Sequence, residues 1–180
     1  MALQQIISPV DGSVYAERTT VSPDELQSVL AAAEATRAGW RDTPLARRAE
    51  ICESMVQHLE SVADDIAVEL AHQMGRPVRF GGNEIRRGFQ ERARHMVTLA
   101  AEALADIPVD SPDGFHKFIR RDPLGSVLVV APWNYPYLCA VNSIVPALLA
   151  GNTIVLKHAT QTLLCAERLS EGFAAAGLPA

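Results

Sequence analysis

The spacing of apolar residues changes along this chain: it is typical of helices over the first hundred residues and of strands from about residue 127. Two early stretches carry apolar residues three or four positions apart, which predicts amphipathic helices. The first stretch comprises Leu26, Val29, Leu30, Ala33 and Trp40, and the second comprises Leu45, Ala49, Cys52, Val56 and Leu59. We also expect an extended segment around Val14 before these helices.

Start and stop residues bound the predicted helices. The segment 22–25, Ser-Pro-Asp-Glu, is a capping box with proline at the first helical position, so a helix should begin there. A third helix is predicted over 61–74, where Gly75 offers a left-handed stop. A fourth is predicted over 83–104, with the charged run 86–94 on its solvated side.

The second half predicts strands. We expect a turn at 111–114, a half-exposed strand at 115–121 and a second turn at 122–125. The runs 127–131 and 153–156 are apolar without alternation, which is typical of parallel strands covered on both faces. A crossover helix near 137–150 should connect them, bent or broken at Pro146, and a last helix should run from 163 to Gly177.

Polar side chains follow both apolar strands. Asn134 comes just after the first strand and Lys157 just after the second. Open parallel sheets bind ligands beyond the carboxyl ends of their strands, so these two side chains should converge on one bound molecule. The amide of Asn134, held between Pro132 and Pro136, can stabilise a developing negative oxygen, and Lys157 can reach ribose hydroxyls or phosphate.

At these residues the sequence resembles the aldehyde dehydrogenase superfamily. The resemblance rests on APWNYP at 131–136 and AGNTIVLKHATQT at 150–162, and it extends upstream through RRDPLGSVLVV and MGRP. It implies an α/β fold in which an amino-terminal helical region precedes the start of a doubly wound, parallel, Rossmann-like cofactor-binding sheet. It also implies oxidation of an aldehyde to a carboxylic acid with NAD or NADP, by a homo-oligomeric enzyme. The odd number of widely spaced cysteines separately suits the cytoplasm.

The resemblance assigns roles residue by residue. Asn134 would donate to the oxyanion of a thiohemiacetal, Lys157 would hold the adenosine ribose, and the backbone of Ala131, Pro132 and Trp133 would form part of the cofactor wall. Thr160 stands where many NAD-preferring members carry a glutamate that repels a 2′-phosphate, so NADP should be tolerated. The KHA sequence at 157–159 is similar to that of succinate-semialdehyde dehydrogenase-like members.

Other motifs of the family have no match here. Its nucleophilic cysteine, general-base glutamate and later cofactor turn are missing, so we interpret the chain as a truncated amino-terminal fragment, inactive alone. Residues 1–106 would be the helical part of the cofactor-binding domain, 107–125 a strand or arm segment, and 126–180 the first β-α-β-α of the Rossmann-like domain. The catalytic domain would be absent.

Composition narrows the function further. The 180 residues carry a formal net charge of -5, which gives no basic field for nucleic acid. Nothing in the sequence predicts a membrane span or a secretory signal. Three widely spaced cysteines suit reduced thiols, and the five histidines show no metal-ligand spacing, so we predict no metal site.

Several alternatives stay open. Asn134 could be an ordinary turn residue, Lys157 a solvated strand-end lysine, and His158 a solvent-exposed loop histidine. Cys139, near a helix start, is more typical of inert packing than of a nucleophile. The whole chain could instead be a non-catalytic module that pairs with a partner through its arm strand. A free-standing dinucleotide binder is disfavoured because no G-x-G-x-x-G follows either strand.

Overall fold

The computed structural model describes residues 2–112 and 114–179, which form two hairpins, a layer of helices and a parallel β-α-β unit. The strands are β1 (Leu3–Ile7), β2 (Val14–Thr19), β3 (Ile107–Val109), β4 (Lys117–Ile119), β5 (Ser126–Ala131) and β6 (Thr153–His158). The helices are α1 (Pro23–Asp42), α2 (Leu45–Ser61), α3 (Ala63–Met74), α4 (Val78–Asn83), α5 (Gln90–Ala103), α6 (Pro136–Leu149) and α7 (Leu164–Ala175).

The amino-terminal hairpin pairs β1 with β2 in antiparallel register. The sequence predicted only the extended segment around Val14, so β1 was missed. The hairpin is attached to α3 through the stacked rings of Tyr15 and His72, whose centroids lie 4.4 Å apart. Ser8, which follows β1, is 3.1 Å from the His72 ring nitrogen.

Local capping determines the first helices as predicted. At α1 the Ser22 hydroxyl accepts from the Glu25 amide and the Glu25 carboxylate accepts from the Ser22 amide, so the capping box is complete. At the end of α3, Gly75 has φ of 77° and its amide bonds to Ala71. The third helix begins at Ala63, after a break that separates it from α2.

The predicted fourth helix differs from the structure in its start and its winding. Helix begins at Val78, directly after Pro77, and a π-helical segment, Glu84–Phe89, connects α4 to α5. A π-helical turn widens the backbone and turns side chains away from the regular helical spacing. The charged run is also not uniformly solvated, because Arg94 donates to Glu53 at 3.0 Å and to Glu60 at 2.8 Å on α2.

The second hairpin pairs β3 with β4, and all six of its strand residues are exposed. The predicted strand at 115–121 is therefore shorter than expected, and its partner β3 was missed. The predicted turn at 111–114 includes Asp113, which lies outside the described residues. Around it, the Gly114 amide donates to the Ser111 carbonyl at 3.2 Å, and Gly114 has φ of 77°.

The β-α-β unit follows the predicted order. Strands β5 and β6 are parallel, α6 connects them, and α7 follows, ending before Gly177 with φ of 80°. Pro146 lies inside α6 and the helix continues past it to Leu149, so the expected break is wrong, while the expected bend stays a prediction. Proline has no N–H, so one hydrogen bond of the helical pattern cannot form at this position.

Strand β5 is covered on one face and open on the other. Val129 and Ala131 are buried, while Leu128 and Val130 are each 66% exposed. The expectation that β5 is covered on both faces is therefore wrong for this chain, because the described helices pack on one face. The core lies on that face, around Phe89, Met55 and the buried side of α6. No helix among the described residues is long and apolar enough to cross a membrane.

Candidate functional site

The carboxyl edge of the parallel pair brings the predicted site residues into one region. Val130 pairs with Lys157 and Ala131 with His158, so β5 and β6 end side by side. Asn134 lies in the loop between β5 and α6, and Thr160 begins a 3₁₀ turn after β6. Neighbouring strands lie about 4.8 Å apart, so both chain segments leave the sheet at the same edge.

Lys157 leaves the sheet on its open face. Register partners in a sheet share a face, so the lysine lies on the side of exposed Val130 and opposite buried His158. Its side chain and that of Thr160 are both exposed. A cation and a hydroxyl are therefore available to a ligand at this edge.

The residues predicted as a cofactor wall differ in exposure. The side chain of Ala131 is buried on the covered face of β5, so only its backbone can contribute to the edge. Pro132 is exposed, and Trp133 is 48% exposed. Together they present an apolar surface beside Asn134.

The backbone of Asn134 is hydrogen-bonded, whereas its side chain makes no hydrogen bond to the described residues. Its carbonyl accepts a hydrogen bond of 2.6 Å from Nη2 of Arg76. The same guanidinium lies over the Tyr135 ring, with Cζ 4.7 Å from the centroid. Within residues 2–112 and 114–179, the Asn134 carboxamide has no hydrogen-bond partner, and the residue is exposed. Its N–H donors are therefore available to a ligand.

A buried carboxylate holds the helix that follows this loop. One oxygen of Glu84 accepts from the amides of Tyr137 and Leu138, each at 2.9 Å, in the first turn of α6. The other oxygen pairs with Arg76, and the Glu84 side chain is 2% exposed. Sequence reasoning missed both charged residues because the backbone groups that they bind around α6 lie more than fifty positions away. Gly88 is a nearby signal of the close approach to α6, because a Cβ at that position would lie 2.7 Å from Cδ1 of Leu138.

His158 is buried at the end of β6, so its expected exposure to solvent is wrong. Its Nδ1 accepts from the Ala159 amide at 3.0 Å, and Thr162 Oγ1 lies 3.2 Å from the same atom. The proton is then on Nε2, which donates to the Pro136 carbonyl at 3.4 Å. Burial lowers the pKa of His158, and the charge of Lys157 lowers it further against the opposing effect of the Pro136 carbonyl. The neutral ring joins β6 to the start of α6.

Two of the three cysteines are buried and do not provide an activated thiol. Cys52 and Cys165 are fully buried, and burial raises the pKa of Cys52 to about 12 and that of Cys165 still further above its ordinary value. Cys139, half-buried on α6, has no disulfide partner in the described part of the chain. Across the same residues, no group of three or more His, Cys, Asp or Glu side chains could hold a metal ion.

Comparisons with known proteins agree on one family. The family model described as "Aldehyde dehydrogenase family" matches residues 2–180. The chain is 34% identical over 176 residues to an aldehyde dehydrogenase of Paenarthrobacter nicotinovorans, covering 96% of this chain and 38% of that protein. It is 33% identical over 178 residues to succinate-semialdehyde dehydrogenase (NADP+) 1 of Mycobacterium tuberculosis H37Rv, again covering 96% of this chain and 38% of the relative.

Solved structures give the same result. The NADP-dependent glyceraldehyde-3-phosphate dehydrogenase of Bacillus halodurans, complexed with NADP, matches with a TM-score of 0.90 and 28% identity, over 99% of this chain and 38% of that one. The succinate-semialdehyde dehydrogenase of Burkholderia pseudomallei matches with a TM-score of 0.90 and 25% identity, over 99% and 37%. The chain thus spans well under half the length of the proteins it matches.

Proposed function

The chain belongs to the aldehyde dehydrogenase family, and from that membership we propose that it is part of an enzyme that oxidises an aldehyde to a carboxylic acid with NAD or NADP. The observation that carries this proposal is the shared carboxyl edge of β5 and β6, where Asn134 and Lys157 both lie. Ligands of open parallel sheets bind at that edge. The activity is proposed for the whole protein, of whose relatives the chain covers 38%.

Asn134 would supply the oxyanion donor. When a nucleophile attacks the aldehyde carbon, the carbonyl oxygen gains negative charge, and an N–H already aimed at it stabilises that charge without rearrangement. The carboxamide of Asn134 has no partner among the described residues, while its backbone is fixed by Arg76. A free donor on a fixed backbone suits this role.

The cofactor would bind along the open edge. When bound, NAD or NADP accepts the hydride from the substrate carbon. Lys157 would bind ribose hydroxyls, and the backbone of Ala131 together with Pro132 and Trp133 would line the cofactor. Thr160 is exposed and uncharged, so it would not repel a 2′-phosphate, and NADP would be accepted. A relative at 33% identity is named for NADP+.

We further propose that the 180 residues alone do not oxidise aldehydes and that the whole protein acts as a cytoplasmic homo-oligomer. The first point is supported by Cys52 and Cys165, whose buried thiols have raised pKa values and make poor nucleophiles. The second is supported by the exposed hairpin of β3 and β4, whose edges can pair with another chain. Reduced cysteines suit the cytoplasm.

The test is an assay of aldehyde-dependent NADPH and NADH formation in the full-length protein and in Asn134→Ala. We expect kcat to fall about 10²- to 10³-fold in the variant, the usual cost of removing one oxyanion donor. The control is Asn83→Ala, an exposed asparagine at the end of α4, which should keep wild-type turnover. Full activity in Asn134→Ala would show that Asn134 is not the oxyanion donor.

The second candidate is a non-catalytic module that pairs with a partner chain through the arm segment 107–125. The exposed strands of its hairpin favour this reading. The coding sequence beyond Ala180 separates the two functions: a continuation with the family's cysteine and glutamate motifs supports the enzyme. The module would be supported instead if the 180 residues bind a partner protein stably and the longest natural form of the protein oxidises no aldehyde.

A further inference from the structure

Two charged residues outside the sheet hold the segment that carries Asn134. Arg76 follows α3 and Glu84 opens the π-helical segment, yet the side chain of Arg76 reaches the loop before α6 and that of Glu84 reaches the first turn of α6. We infer that Arg76 and Glu84 are positioning residues that orient the Asn134 carboxamide toward the reacting oxygen. This inference rests on the proposed role of Asn134. It adds that Arg76 and Glu84 determine how the Asn134 side chain is oriented.

Glu84 caps α6 from another helix. The first helical residue, Pro136, has no N–H, and the amide of Cys139 already donates to the Tyr135 carbonyl at 2.9 Å. The two amides left over, those of Tyr137 and Leu138, both donate to one oxygen of Glu84. No side chain of the loop itself caps this helix. A buried carboxylate at a helix N-terminus satisfies these donors and complements the helix dipole, so it fixes where α6 begins.

Arg76 links the Glu84 carboxylate to the peptide of Asn134. One terminal nitrogen pairs with the second oxygen of Glu84, and the other donates to the Asn134 carbonyl at 2.6 Å. The guanidinium also lies over the Tyr135 ring at 4.7 Å. Its planar fork can hold these two acceptors in a fixed relation, which a lysine ammonium cannot do. The pair is little screened by water, since the two side chains are 12% and 2% exposed.

Two prolines restrict the loop further. Pro132 and Pro136 fix two φ angles, one on each side of Asn134. The orientation of the Asn134 peptide then depends on the bond from Arg76 to its carbonyl. Rotation of that peptide would move the Cβ and the carboxamide of Asn134 away from their positions in the structure. A displacement of this kind, of about 1 Å, can lower a rate about 10²-fold.

The first experiment compares Arg76→Met, Asn134→Ala and the double variant in the full-length protein. If Arg76 acts through Asn134, Arg76→Met should lower kcat about 10- to 100-fold while KM for aldehyde and cofactor stays within about threefold. The double variant should be no slower than Asn134→Ala alone. Multiplied losses in the double variant would overturn the inference, because they would show that Arg76 acts independently of Asn134.

A matched control separates this effect from general loss of an ion pair. Arg86 donates to Asp64 at 2.8 Å at an exposed site close by, with side chains 45% and 87% exposed. Arg86→Met should leave kcat unchanged. Glu84→Gln, which keeps the side-chain shape, should reproduce part of the Arg76→Met loss. Equal losses in Arg86→Met and Arg76→Met would overturn the positioning role.

The second experiment needs no catalysis. In the 180-residue chain, the Asn134 side-chain amide resonances should shift in Arg76→Met, and the amides of Tyr137 and Leu138 should exchange with solvent at least about tenfold faster in Glu84→Gln. Arg86→Met should change neither. Unchanged resonances and exchange would overturn the inference. A full-length protein that oxidises no aldehyde contradicts the proposed function instead, so the two failures are distinguishable.

Discussion

Arg48 on α2 donates from Nε to the carbonyl of Leu149, the last residue of α6, at 3.0 Å. Its Nη1 also donates to the carbonyls of Arg41 at 3.0 Å and Thr43 at 2.7 Å, where α1 ends. One buried guanidinium therefore satisfies the free carbonyls at the ends of two helices and complements both dipoles. Burial lowers the pKa of Arg48 below its ordinary value, without neutralising it.

Replacing Arg48 should strongly destabilise the fold. Arg48→Met keeps the aliphatic stem but leaves one buried and two partly buried carbonyls without this donor, so we expect the free energy of unfolding to fall by about 3 kcal/mol. Urea denaturation measures it. Arg47→Met is the matched control, because Arg47 pairs with Glu50 at a surface where the side chains are 49% and 65% exposed. Arg47→Met should change the free energy of unfolding by no more than about 0.5 kcal/mol. Equal losses of stability in Arg47→Met and Arg48→Met would contradict the capping role of Arg48.

Local chemistry explains why the sequence alone predicted the ends of many elements. The capping box at Ser22, the left-handed stop at Gly75 and the final stop at Gly177 each involve residues only a few positions apart. Their geometry is decided within one turn, so neighbours in the sequence suffice. The parallel pairing of β5 and β6 was predicted on similar grounds, from two apolar runs and a crossover of adequate length.

Long-range contacts explain what the sequence did not predict. Strands β1 and β3 are short and lack a strong pattern, and each forms only because a hairpin partner supplies its hydrogen bonds. Glu84 lies in a charged stretch, and nothing near it in sequence indicates that Tyr137, 53 positions away, donates to its carboxylate. The exposure of Leu128 likewise depends on which face the helices cover, which a uniform apolar run does not specify.

Acidification should destabilise the chain through His158. Its pKa in the fold lies below the ordinary 6.5, so the unfolded chain binds a proton that the folded chain does not. Stability from this group is therefore present above about pH 6.5 and is lost as the pH falls toward the folded pKa, with a slope of at most about 1.4 kcal/mol per pH unit. Urea denaturation at several pH values should show this loss in the wild type relative to His158→Gln.

Thr162→Val provides the control for that titration. It removes the hydroxyl 3.2 Å from Nδ1 but keeps the imidazole, so stability should drop at every pH while the acid-dependent loss persists. If His158→Gln and the wild type lose stability in parallel below pH 6.5, the ring is not the group responsible.

The open face of β5 should tolerate polar residues. Leu128 and Val130 are each 66% exposed, so Leu128→Thr and Val130→Thr remove apolar surface from solvent contact and keep strand propensity. We expect less self-association of the 180-residue chain by light scattering, and stability changes within about 0.5 kcal/mol. Val129→Thr, on the buried face at 5% exposure, should cost about 2 kcal/mol. Similar costs at both faces would contradict the one-sided packing.

In the proposed enzyme, Thr160 should control the choice between NADP and NAD. The residue is exposed at the start of the 3₁₀ turn after β6, near the proposed ribose site of Lys157. Thr160→Glu places a carboxylate where a 2′-phosphate would lie, and repulsion of about 1 to 3 kcal/mol should lower kcat/KM for NADP relative to NAD about 10- to 100-fold. Thr160→Gln has the same length without the charge and should change the ratio far less. If glutamine shifts the preference as much as glutamate, size and not charge governs selection, and the proposed position of the 2′-phosphate beside Thr160 is wrong.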